Sequence, residues 1–100
     1  MEVKILEQNN EKIVAIQGRV DTVTSSDLEM KVSQVWDQPA VTLVFDCSEM
    51  EYISSSGLRV VLKAHKQVTS NGGKFILRNL NKEVNTVIEL TGFSRILAIE

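Results

Sequence analysis

The run Val41-Thr42-Leu43-Val44-Phe45-Asp46, followed a few residues later by Ser54-Ser55-Ser56-Gly57-Leu58, decides the fold. The first part is a continuous apolar stretch of strand length that ends in an acid. Beyond the second, Leu58, Val61, Leu62 and Val68 recur at helical spacing. A buried strand therefore leads into a helix, and the serines stand at the turn between them. A helix start carries backbone N–H groups without intrahelical partners and the positive end of the helix dipole. A serine hydroxyl there can cap the helix, and a phosphate added there would be held favourably. One serine suffices for a cap. Three, set behind a connection of several residues from Asp46, also suit a hydroxyl exposed on a loop where a partner can reach it. The residues leave both readings open.

Working outward, Val3 to Glu7 and Lys12 to Gln17 read as two short strands around the polar turn Gln8-Asn9-Asn10-Glu11, an antiparallel hairpin. After Gly18 and Asp21 comes a Thr/Ser cluster. There Thr24, Ser25 or Ser26 can cap a helix that carries Leu28, Val32, Val35 and Trp36 on one face and ends before Pro39. The helix after the serines stops near Asn71-Gly72-Gly73. Lys74 to Arg78 forms a fourth strand, whose unbroken Phe75-Ile76-Leu77 predicts burial on both faces. Asn81 caps a third helix with Val84, Val87, Ile88 and Thr91 on one side, Gly92 and Phe93 end it, and Ile96 to Ile99 gives a last strand.

The fold class is α/β: a mixed sheet of about five strands with about three helices. Right-handed crossovers make strands three, four and five parallel, and the hairpin adds an antiparallel edge. In such a sheet the reactive groups gather beyond the carboxyl ends of the parallel strands. Asp46, the 54–57 turn and Asn79 are expected together there.

Composition narrows the function. One hundred residues, 43% of them hydrophobic, fit a single domain over 1–100 with one core. Met1-Glu2-Val3-Lys4 lacks the layout of a secretory signal, and no apolar stretch reaches the length of a membrane span, so a cytoplasmic protein without membrane contact is expected. The single Cys47 reads as a buried strand-end residue in a reducing compartment. His65, the only histidine, lies in register with the inner helix face, and no cysteine pair accompanies it, so neither a metal nor another cofactor is expected. A net charge of −2 gives no footprint for nucleic acid.

The segment from Val44 through Leu62, with Asp46 and the turn Ile53-Ser54-Ser55-Ser56-Gly57-Leu58, resembles the signature of the STAS family. That family comprises the bacterial anti-sigma factor antagonists and related domains of sulphate transporters. Gly18-Arg19-Val20-Asp21 is similar to the family's first-loop motif, and Asn79 also suits the pattern. The resemblance implies the STAS fold along nearly the whole chain, with the Gly18 to Thr22 loop beside the serines. It further implies that Ser55 is phosphorylated by an anti-sigma factor that is itself a serine kinase, this chain being substrate and ligand, not an enzyme, and touching the sigma factor only indirectly. Two departures are visible: Ser54 stands where many phosphorylated antagonists have Asp, and the further helix with which STAS domains usually finish has no counterpart before Glu100.

Around Ser55 the expected partner-binding residues are Asp21, Ser54, Ser56, Gly57, Arg59 and Lys63. Arg59, Lys63 and Lys66 fall at i, i+4 and i+7, one cationic stripe that is either a solvated face or the counterpart of an acidic patch on a partner. Asp21 reads equally as a turn residue. The alternative function in the same fold is a non-phosphorylated binding subunit of a lipid-transport ATPase or a signalling scaffold. A hydrolase with Ser55 as nucleophile would need a histidine base nearby.

Overall fold

The computed structural model describes residues 1–100. Strands β1 (Glu2–Gln8) and β2 (Glu11–Val20) pair antiparallel. They are joined through Asn9 and Asn10, whose φ angles of 52° and 65° are those of the tight turn that matches strand twist. The chain continues through α1 (Ser25–Val32), β3 (Thr42–Ile53), α2 (Ser55–Ser70), β4 (Lys74–Arg78), α3 (Lys82–Leu90), a 3-10 turn at Phe93–Arg95 and β5 (Ala98–Ile99). The sheet order is β1-β2-β3-β4-β5. All neighbours from β2 onward are parallel, so only β1 is an antiparallel edge.

Each crossover advances one strand in the same direction. With right-handed connections, all three helices then lie on one face of the sheet. The core forms there: Val14, Ile16, Leu43, Phe45, Phe75 and Leu77 from the strands meet Leu28, Val61, Ala64, Val68, Val84 and Ile88 from the helices. Phe45 and Phe75 pack edge to face with centroids 4.8 Å apart.

The opposite face carries no helix. Leu6, Ile13, Val44, Ile76 and Ala98 stand in cross-strand register on it. Val44 is fully buried yet outside the core cluster. Arg78 accounts for this: from β4 it reaches across β3 to both carboxylate oxygens of Glu11 on β2, each at 3.2 Å, and also holds Glu100 at 2.9 Å. Its aliphatic stem shelters apolar surface while the guanidinium is paired. The expectation that Phe75-Ile76-Leu77 is buried on both faces is corrected: Ile76 is only half-buried, because its side of the sheet has no covering layer.

Three further expectations change. β3 does not end at Asp46 but runs on through Ile53, pairing Glu49 and Met50 with Gln17 and Gly18 after one register shift and Tyr52 and Ile53 with Arg19 and Val20 after a second. The residues 47–53 read as a loop are therefore strand. The first helix stops at Val32, and Val35 and Trp36 are buried from the turn that follows it. The last strand is likewise shorter than expected, beginning at Ala98 because Ile96 closes the 3-10 turn.

Candidate docking site at the start of α2

Ser54, in extended conformation, is the N-cap of α2: its hydroxyl accepts from the Gly57 amide at 3.2 Å and its carbonyl from the Leu58 amide at 2.9 Å. Its own amide donates to the Val20 carbonyl at 2.8 Å, which pins the helix start to the end of β2. With the cap supplied by Ser54, Ser55 becomes the first helical residue. It is exposed, and its Oγ makes no hydrogen bond within the protein; Ser56 is half-buried. The amides of Ser55 and Ser56 have no acceptor in the protein, and the first turn of α2 contains no acid. The three serines thus divide their roles, one structural and one freely presented.

Gly57 is buried under this turn. A Cβ there would fall 2.7 Å from Ile53 Cγ1 and 2.8 Å from Val20 Cγ1, so close contact of α2 with the ends of β2 and β3 requires glycine. Asp21, directly after β2, folds the adjacent loop. Its Oδ1 accepts from the amides of Val23 and Thr24, both at 3.0 Å, and from the Thr24 hydroxyl at 3.1 Å. The Thr24 amide bond is the main reason its carboxyl is held below the ordinary value. Thr24 occupies the N-cap position of α1 without capping it through its side chain, and the Asp21 carboxylate holds the amides just before the helix, those of Val23 and Thr24.

The cationic stripe splits into separate roles. Lys63 Nζ lies 2.9 Å from Glu29 Oε2 and ties α2 to α1. Arg59, one turn after Ser55, is exposed and has no hydrogen-bond or ion-pair partner. One exposed apolar side chain that sequence reasoning left out lies at the same end of the helical layer: Val23, 83% exposed in the β2–α1 loop. Val23 carried no signal, since an apolar residue in a turn reads equally well as core.

Asp46 and Asn79 do not join this site. Asp46 sits eight residues before Ser54 along β3, roughly 25 Å of extended chain. It belongs to the helix-free face, where it accepts from Asn79 Nδ2 and the Ser48 amide, each at 3.1 Å. Partial burial pushes its carboxyl up, but these bonds outweigh it and the net shift is downward. His65 lies ten residues down α2 from Ser55, about 15 Å along the axis, with its ring edge-on to Phe75. Ser55 and His65 form no nucleophile–base pair.

No group of three or more His, Cys, Asp or Glu side chains is arranged to hold a metal ion, and no helix is long and apolar enough to cross a membrane. A hollow of about 220 Å³ lies on the helix-free face beside Lys4, Ala15, Asp46 and Ser48, away from Ser55. The serine end brings together an exposed hydroxyl, an arginine without a partner and the exposed Val23 side chain.

Comparison with known proteins gives four informative matches. The STAS domain family matches residues 2–100. BtrV of Bordetella bronchiseptica, an inferred anti-sigma factor antagonist, is 34% identical over 87 residues, covering 87% of this chain and 75% of BtrV. An anti-sigma factor antagonist from Mycobacterium paratuberculosis superposes with a TM-score of 0.88 at 24% identity, over 98% of this chain and 83% of that one. The phosphorylated form of the Bacillus cell fate determinant SpoIIAA superposes with a TM-score of 0.74 at 19% identity, over 99% and 91% of the two chains. At such identities the structural likeness speaks for the fold alone.

Proposed function

Since the chain belongs to the STAS domain family, we propose that it is an anti-sigma factor antagonist whose partner is an anti-sigma factor with serine kinase activity. Unmodified, it binds that partner through the start of α2 and the Asp21–Thr24 loop, and the partner releases its sigma factor. The observation that carries the reading is Ser55, the one serine of the three that is exposed, at the first position of α2. The relatives support it by name, one of them solved in a phosphorylated form.

The chemistry asked of this chain is small. Ser55 Oγ attacks the γ-phosphorus of ATP held by the kinase, the bond to ADP breaks, and the hydroxyl proton passes to a base on the kinase. The product adds about −1.5 to −2 charges at the docking surface. Each 1.4 kcal/mol of lost contact weakens binding about tenfold, and an unpaired charge forced into a dry interface costs several times that. One phosphate is enough to work the switch.

The test is capture of partners from the host's lysate with wild type and Ser55→Asp as baits. An ATPase-fold kinase retained by wild type and lost with Ser55→Asp supports the reading. The second reading, a constitutive binding subunit of a transport ATPase or scaffold, is favoured by Ser54, which replaces the usual acid and is committed to capping. Transport or scaffold components retained equally by both baits would establish it instead.

A further inference from the structure

Side chains four residues apart on a helix share a face and lean toward its N-terminus, which puts Ser55 within reach of Arg59. Three features leave Arg59 uncommitted. It has no partner in the protein, the first turn of α2 offers it no acid, and Glu29, the carboxylate on the facing helix, is taken by Lys63 at 2.9 Å. Asp21, the acid nearest in the chain to the Val20–Ser54 junction, already turns Oδ1 inward to the amides of Val23 and Thr24. Lys66 stands eleven residues beyond Ser55, about 16 Å along the axis, out of reach.

We propose that Arg59 is the built-in counter-ion of a Ser55 phosphate, closing over the modified side chain as a bidentate i,i+4 clamp. This rests on Ser55 being the modified residue. A guanidinium presents parallel donors that match two phosphate oxygens, which a lysine at the same place does not. The unpartnered amides of Ser55 and Ser56 add donors on the third side. Because Ser54 makes the cap and the Ser55 hydroxyl bonds to nothing, the clamp forms without breaking any bond of the resting structure. Modification therefore acts twice on a partner: it adds anionic charge and withdraws the one free cation of the first two turns of α2. An acidic docking patch would lose its contact and meet a repulsive group in its place.

The test installs phosphoserine at position 55 during translation, so that no kinase is needed, and follows the phosphate by 31P NMR as pH is varied. Arg59 stabilises the dianion, so the second ionisation of the phosphate is expected about half a pH unit lower in the otherwise unaltered protein than in Arg59→Gln. The Lys66→Gln protein should titrate like the unaltered one. Equal titration with and without Arg59, or an equal rise in both variants, would overturn the clamp, the second by showing only a general field of the helix. A clamp seen in a protein that captures no kinase would sink the proposed function while leaving this inference standing.

Discussion

The amide of Ser54 donates to the carbonyl of Val20 at 2.8 Å, and through that bond the end of β2 sets the position from which α2 starts. Ser54 is thus both the tether and the cap of the helix that presents Ser55, and the behaviour of its substitutions follows from those two duties.

Ser54→Ala keeps the backbone bond and loses the side-chain cap, so it should cost about 1 kcal/mol and lower the melting temperature by several degrees. Ser54→Asp keeps the cap and adds an acid at the positive end of α2. It should melt at or above wild type. Calorimetry of the two variants checks both.

Gly57→Ala forces a methyl group against Ile53 and Val20, whose side chains are buried with no room to retreat. Overpacking of this kind costs about 1–3 kcal/mol. A urea midpoint unchanged from wild type would mean that α2 can slide outward without loss.

Arg78→Ala removes the strap over Val44 and leaves Glu11 and Glu100 without their partner. A loss of about 1 kcal/mol is expected at low ionic strength, with the difference from wild type shrinking in high salt as the ion pairs are screened. The residual difference at high salt measures the apolar cover.

The Cys47 thiol is pushed up to about 12 by burial, with the neighbouring Asp46 charge adding to it. Thiolate is the reactive form. Native protein should therefore resist alkylation at pH 8 and react fully once unfolded, and fast labelling under native conditions would show that this part of β3 opens.

Asp21 and Asp46 are both held below their ordinary value of 3.8, Asp21 chiefly by the Thr24 amide and Asp46 by its Asn79 and Ser48 bonds acting against partial burial. A carboxyl depressed in the folded state contributes stability that is present above its unfolded pKa and lost as pH falls through the folded value. Melting temperature should drop below about pH 4, and Asp21→Asn, which keeps an acceptor oxygen but does not titrate, should flatten part of that slope.

Much of this was legible in the residues. The Asn9-Asn10 turn, the Asn81 cap, which accepts from the Val84 amide at 2.8 Å, and the inward His65 were set by local chemistry and hold in the structure. The second half of β3 was not. Ser48, Glu49, Glu51 and Tyr52 read as a polar loop, and they are strand because this half of β3 extends past β4, pairs with β2 alone and leaves its polar side chains exposed. The one-sidedness of the sheet misled the reading of Ile76. At the site, position along the chain grouped Asp46 with Ser55, whereas the true length of β3 separates them. What a single sequence withheld was the division of labour among three identical serines, which depends on which one accepts the Gly57 amide.

The two register shifts between β2 and β3 arise because β3 spends two more residues than β2 in passing from the Val14–Phe45 pair to the Val20–Ile53 pair. Each surplus residue bulges locally, and the strands recover their match beyond it. Removing Glu51 would erase one bulge and still leave Ile53 opposite Val20, with Gly57 and Ser55 where they are. The serine's address is fixed by the strand ends rather than by the length of chain before it, so a change in length at either bulge leaves Ser55 in its place.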